Sequence, residues 1–242
     1  YSCMKKAKHL IPAYIIRLEN NKHSRNMAYE CKVAAEANGI TAQYFQAIDG
    51  KNANDEYIKS GVPKPPKAIK KGRAGVLGCF FSHYYLWDKC AKLNRPIIIL
   101  EHDGFFIRPL PDNILEQFDD ILKLDRYDPY SKEYNQTVDK SIKSKLRVID
   151  YKNPAPKNTL KIGTGAEYFK GAYSYIIKPH AAKRLIHWIK MNRHGKGHRP
   201  ADQQIGSGIN RLQTTECTVA RLHPFYSLGD NIKTESLTRN YH

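Results

Sequence analysis

Residues 96–107 read PIIILEHDGFFI, and this stretch constrains the fold more than any other in the chain. Ile97, Ile98, Ile99 and Leu100 are four apolar residues in a row, a short buried strand bounded by Pro96 and by charge. The run ends in Glu101, His102 and Asp103, followed at once by glycine and two phenylalanines. Burying a charge without a partner is expensive. In an extended strand side chains alternate, so Glu101 and Asp103 point to one face and His102 to the other. Two carboxylates at the carboxyl end of a buried strand stand where open α/β sheets bind ligands. Oxygen-rich sites suit magnesium or manganese. A strand-end acid paired with one of the many lysines or arginines is the competing explanation.

The flanking sequence places this strand in an α/β sheet. Residues 11–18 predict a strand, 25–38 a helix closed by Gly39, and 41–48 a second strand before the turn at Asp49 and Gly50. Strand, helix, strand at this spacing opens an α/β fold. Residues 59–73 carry three prolines and no acid, which predicts an exposed basic loop. A helix is expected over 79–93, with Phe80, Tyr84, Trp87 and Ala91 on one apolar face. Another is expected near 112–124, then a Tyr-, Lys- and Asn-rich insertion or flexible loop over about 126–161. A strand over 172–177 and a strong helix over 180–191 follow. Beyond Asn192 periodicity is weak. The 242 residues are read as one domain with one half to about 125 and a second from about 162.

Charge points to an anionic partner. Lys and Arg number 40 against 23 Asp and Glu, a formal net charge of +17. Ordinary solubility explains the same number. Aromatic and basic residues are not interleaved in a nucleic-acid motif, so no specific nucleic acid is expected. The five cysteines, Cys3, Cys31, Cys79, Cys90 and Cys217, have no paired spacing, which favours a reducing compartment over a disulfide framework. A cytoplasmic location is expected, with peripheral attachment to an anionic membrane surface left open. No apolar run is long enough to span a bilayer.

Taken in order, these segments resemble glycosyltransferase family 25, which includes lipooligosaccharide and collagen galactosyltransferases. The resemblance runs through YIIRLENNKHSRN with Arg25, FQAIDG with Ala47, Asp49 and Gly50, and GCFFSH with Gly78, Ser82 and His83. It continues through the acids Glu101 and Asp103, then GAYSYIIKPH, PADQQI with Asp202 and Gln203, and HPFYSLGDNIKTES. Two positions depart from the family pattern. His102 replaces its middle Asp, and Arg17 replaces the Asn before Leu18.

The resemblance implies a GT-A-type, Rossmann-like fold with a mixed, mostly parallel central sheet. It also implies metal-dependent, inverting transfer of galactose or glucose from a UDP-sugar to a hydroxyl of a glycan or a glycosylated or hydroxylated protein, as in lipopolysaccharide biosynthesis. Arg17, Leu18, Arg25, Ala47, Asp49, Gly78, Ser82, His83, Glu101 and His102 are its candidate nucleotide-sugar contacts. Glu101, Asp103 and His223 are its candidate Mn2+ or Mg2+ ligands, and Asp202 its candidate base. Asp49 as a turn residue, Arg25 as a surface arginine, His83 as a buried hydrogen-bonded residue and Asp202 as a helix N-cap remain open. So does a catalytically inactive glycan- or anion-binding relative.

Overall fold

The computed structural model describes residues 9–64, 74–127, 133–152, 169, 171–191 and 200–223. The opening unit is as expected: β1 (His9–Arg17), α1 (Lys22–Ala37) and β2 (Ile40–Gln46), with β1 and β2 parallel. The Asn21 side chain accepts the Ser24 backbone N–H at 2.8 Å and so caps α1. Gly39, at φ 81°, turns the chain out of the helix where a side chain would be strained. After α2 (Ala53–Ser60), α3 (Ala74–Leu93) crosses over the sheet and delivers the chain to β3 (Ile97–Glu101). β3 pairs parallel with the free side of β1.

The rest of the chain extends this sheet. β4 (Gly104–Phe106), β5 (Ile121–Lys123), α4 (Tyr134–Ser141), β6 (Val148–Asp150) and β7 (Ser174–Ile177) come next. α5 (Pro179–Met191), α6 (Ala201–Ile205), β8 (Leu212–Thr215) and β9 (Ala220–Leu222) follow. The seven-stranded order is β2-β1-β3-β7-β5-β8-β6, and β4 pairs with β9 in a small second sheet. β7 and β6 run against the other strands, so the α/β sheet is mixed with most strands sharing one direction.

Strict alternation builds two cores. Tyr14, Ile16, Ile97, Ile99, Tyr175 and Ile177 face α3 and α5, joining Phe80, Trp87 and Leu185. Ala13, Ile15, Ile98, Leu100 and Ile176 face the opposite side with Ala28, Cys31 and Ala35 of α1. The odd positions of β3 therefore point toward α3, which fixes where Glu101 goes.

One expectation is revised, and two weakly patterned stretches gain elements. The helix near 112–124 is instead a 3-10 turn over Ile114–Glu116 followed by strand β5. Ile114, Phe118 and Leu122 have helical spacing and do reach one core. However, β5 gains ladder hydrogen bonds on both sides, from β7 and β8. The stretch 126–161 contains α4 and the edge strand β6, and the weakly periodic C-terminal part supplies α6, β8 and β9. Such short elements offer too few turns or alternations to read from sequence.

Candidate active site

The chain steps from β1 to β2 on one side and returns to β3 on the other. This makes the carboxyl ends of β1 and β3 a topological switch point, where α/β sheets open a crevice. A cleft open to solvent lies there. Its lining includes Arg17, Leu18, Ala47, Asp49 and Gly78, and also Ser82, His83, Glu101 and His102. Of the expected nucleotide-sugar contacts only Arg25 is outside this lining. It instead donates to the Glu19 carbonyl beside the cleft.

One wall is α3 pressed against the loop after β2. A Cβ on Gly78 would meet the Ile48 carbonyl at 2.5 Å and the Gly50 nitrogen at 2.9 Å, so glycine alone permits this approach. Ser82 then ties the two together, accepting the Ile48 N–H at 2.9 Å and donating to the Gly78 carbonyl at 2.7 Å. Its one proton is committed to holding the wall. Asp49 is exposed and accepts the Lys51 N–H at 3.0 Å at the start of a short 3-10 turn, as the turn reading expects.

Glu101 is positioned by a relay behind it. The Trp87 indole N–H donates to the Tyr175 hydroxyl at 2.8 Å, and that oxygen lies 2.8 Å from His83 Nδ1. His83 Nε2 lies 3.1 Å from Glu101 Oε1. Trp can only donate. Every proton is used if Tyr175 O–H donates to Nδ1 and His83 Nε2–H donates to the carboxylate. His83 is thus buried and hydrogen-bonded, and in that role it also aims Glu101. Burial would raise the Glu101 carboxyl, but His83, then the charge of His102 and the Cys79 thiol, hold it below its ordinary value. Cys79 Sγ is 3.6 Å from the same Glu101 oxygen.

The expected alternation past Glu101 does not hold. β3 ends at Glu101, and residues 102–103 form a turn into β4. A Cβ on Gly104 would lie 2.3 Å from the Tyr173 carbonyl, so the turn packs too tightly there for any other residue. In consequence His102 joins Glu101 on the cleft wall, not the opposite face. Asp103 Oδ1 is buried with no hydrogen-bond partner. Burial, then the charge of Glu101, push the Asp103 carboxyl up to about 8. Burial, and secondarily the charge of His23, hold His102 down at about 4, so it is neutral at physiological pH.

Asp202 lies in the first turn of α6. Pro200, not Asp202, takes the N-cap position, so the capping alternative is set aside. Its Oδ1 accepts the Gln203 N–H at 2.8 Å. Burial, then Glu101, raise its carboxyl to about 6, which places Asp202 within electrostatic reach of the Glu101–His83 pair. His223 is directed elsewhere. Its backbone N–H donates to the Asp103 carbonyl at 2.8 Å, but its Nε2 lies 2.9 Å from Glu30 on α1. The ring is thereby drawn from the expected metal set.

Ser24 and Cys79 are among the lining residues that the sequence did not single out. Ser24, at the first turn of α1, accepts the Leu18 N–H at 3.0 Å. Cys79 stands four residues before His83 on one helical face, a spacing present in GCFFSH. Arg17 stacks over Tyr44 at 3.6 Å and is held by Glu19. Of the basic loop expected over 59–73, Lys59 and Ser60 end α2, and residues 65–73 lie outside the described residues.

The amino-acid sequence matches a known family. A family model described as "Glycosyltransferase family 25 (LPS biosynthesis protein)" matches residues 10–203. A "Glycosyltransferase 25 family member" from Aedes aegypti is 27% identical over 122 residues, 48% of this chain and 20% of that protein. One from Anopheles gambiae is 31% identical over 72 residues, 27% of this chain and 12% of that protein. The chain thus matches about a fifth or less of the length of these relatives. The crystal structure of apo mouse xyloside xylosyltransferase 1 aligns with a TM-score of 0.39 and 12% identity, over 81% of this chain and 80% of that one.

Proposed function

Since this chain belongs to glycosyltransferase family 25, we propose that it transfers a hexose, galactose or glucose, from a UDP-sugar to a hydroxyl of a glycan or protein acceptor. The observation that carries the reading is the gathering of the expected nucleotide-sugar residues, apart from Arg25, around one cleft at the switch point. The first turn of α1 borders that cleft through Ser24, and a helix N-terminus favours phosphate oxygens. Arg17 lines the same cleft with its guanidinium paired to Glu19.

The donor set suits a divalent cation. A buried carboxylate oxygen without a partner, beside a second carboxylate whose charge it feels, is the arrangement a bound cation stabilises. Glu101 and Asp103 would hold Mn2+ or Mg2+. Such an ion supplies neutralisation of the charge that develops on a departing diphosphate. His83 keeps Glu101 oriented, and Ser82 keeps the α3 wall against the loop that carries Asp49. Asp202, raised to about 6, is deprotonated at neutral pH yet basic enough to take the acceptor hydroxyl's proton as the new bond forms with inversion.

His102 on the cleft wall, where the family pattern has an acid, favours a second reading: a relative that binds the donor without turning it over. Thermal unfolding with a panel of UDP-sugars, with and without manganese, tests both. Metal-dependent stabilisation by UDP-galactose or UDP-glucose is expected. Stabilisation without sugar release supports the second reading, and no stabilisation by any UDP-sugar refutes both.

A further inference from the structure

The cleft contains a second set of donor atoms, chemically softer than the acid pair. Cys79 and His83 are four residues apart on α3 and project from one face, while Glu101 reaches them from the end of β3. Cys79 Sγ, His83 Nε2 and a Glu101 oxygen all lie within 4.8 Å of one another. Sγ to Oε1 is 3.6 Å and Nε2 to Oε1 is 3.1 Å. With metal–ligand bonds of about 2.0–2.3 Å, adjacent donors of a tetrahedral zinc ion stand about 3.3–3.7 Å apart. Those two contacts are therefore close to the edges of such a tetrahedron before any ion enters.

We infer that Cys79, His83 and Glu101 form a site for a borderline-soft divalent cation, Zn2+ above all, with its fourth position open to the cleft. Sulfur and imidazole select zinc over magnesium and manganese, which prefer oxygen alone. All three residues line the cleft, so an ion and a fourth ligand reach them from solvent. The support behind the site is already built. When Nε2 binds metal, Nδ1–H donates to the Tyr175 oxygen, whose second lone pair still accepts the Trp87 N–H. That exchange sacrifices the Tyr175 proton's present acceptor but keeps the imidazole oriented, as ligating histidines require. The thiol proton leaves as the ion binds, and the single imidazole proton moves from Nε2 to Nδ1.

The site stands whether or not the chain transfers sugar. Its consequence does depend on the transfer reading: zinc would take Glu101 from the Glu101–Asp103 pair and inhibit manganese-dependent turnover. The full chain is titrated with Co2+ as a spectroscopic substitute for zinc. A thiolate-to-cobalt absorption band should appear and be abolished by added Zn2+. Cys79→Ser should lose the band and weaken Zn2+ binding by at least about 100-fold. Zn2+ should also protect Cys79 of the parent chain from alkylation, read by mass spectrometry, which requires no variant to fold. Absence of the band, an undiminished band in Cys79→Ser, or alkylation of Cys79 at the same rate with and without zinc would each overturn the assignment.

Discussion

Replacing Asp103 with Asn separates a side chain kept for binding from one kept for stability. Burial, and then Glu101, raise its carboxyl from 3.8 to about 8 in the folded chain. A carboxyl raised in this way binds more protons folded than unfolded. Its contribution is intact below about pH 4 and is lost as pH rises through 8. At about 1.4 kcal/mol per unit, a shift of roughly four units sets a ceiling of about 6 kcal/mol. An effective dielectric nearer 20 than 4 brings the working figure to about 2–3 kcal/mol. Asparagine keeps the shape and carries no charge.

The variant should therefore unfold about 5–10 °C above the parent at pH 8 in chelator, with the gap closing toward pH 4. Manganese should narrow or reverse the gap, because about 2.7 kcal/mol at a hundredfold excess over the dissociation constant stabilises the parent alone. Calorimetry of both proteins at pH 5 and pH 8, with chelator and with manganese, reads all of this. An Asn variant that melts at or below the parent at pH 8 in chelator would refute the claim that Asp103 is held against the interest of stability.

The other predictions concern Asp202, Gly78 and His102. Asp202→Asn should bind donor normally and transfer at least about a hundredfold more slowly. In the parent, rate should rise with pH through about 6 and then level, since the base must be deprotonated; the same limb in the variant would exclude Asp202. Gly78→Ala should displace the 47–50 loop, because its Cβ meets backbone at 2.5 Å, and raise the donor KM with lowered stability; unchanged kinetics and melting would contradict the close approach. His102→Asp adds a charge beside Glu101 on the cleft wall, and manganese should bind about tenfold more tightly. Unchanged affinity by calorimetric titration would mean that residue 102 does not face the site.

Much of the site was legible because its parts sit at the ends of strongly patterned elements. The Ile97–Leu100 run announced β3, and the strand–helix–strand opening announced the switch point at which it ends. The course of the chain after Glu101 was not legible. PIIILEHDGFFI shows no break before Gly104, and the turn at 102–103 depends on how closely Gly104 packs against Tyr173. His223 misled for a similar reason: the β4–β9 pairing brings its backbone to Asp103, while a contact with Glu30, far away in sequence, takes its ring. Cys79 was readable at four residues from His83, but a search for paired cysteines passes over a mixed sulfur–imidazole pair. β5 carries a helical spacing and is a strand because β7 and β8 flank it, information that no local window contains.

The central claim is that the Glu101–Asp103 end of β3 serves metal-dependent sugar transfer. Release of UDP from UDP-galactose and UDP-glucose by the purified chain tests it most directly, with manganese and with chelator, in the parent, Asp103→Asn and Asp202→Asn. The account predicts release by the parent with manganese, little with chelator, and losses of at least about a hundredfold in both variants. Equal release with and without metal, or undiminished release by the folded Asp103→Asn protein, would contradict it.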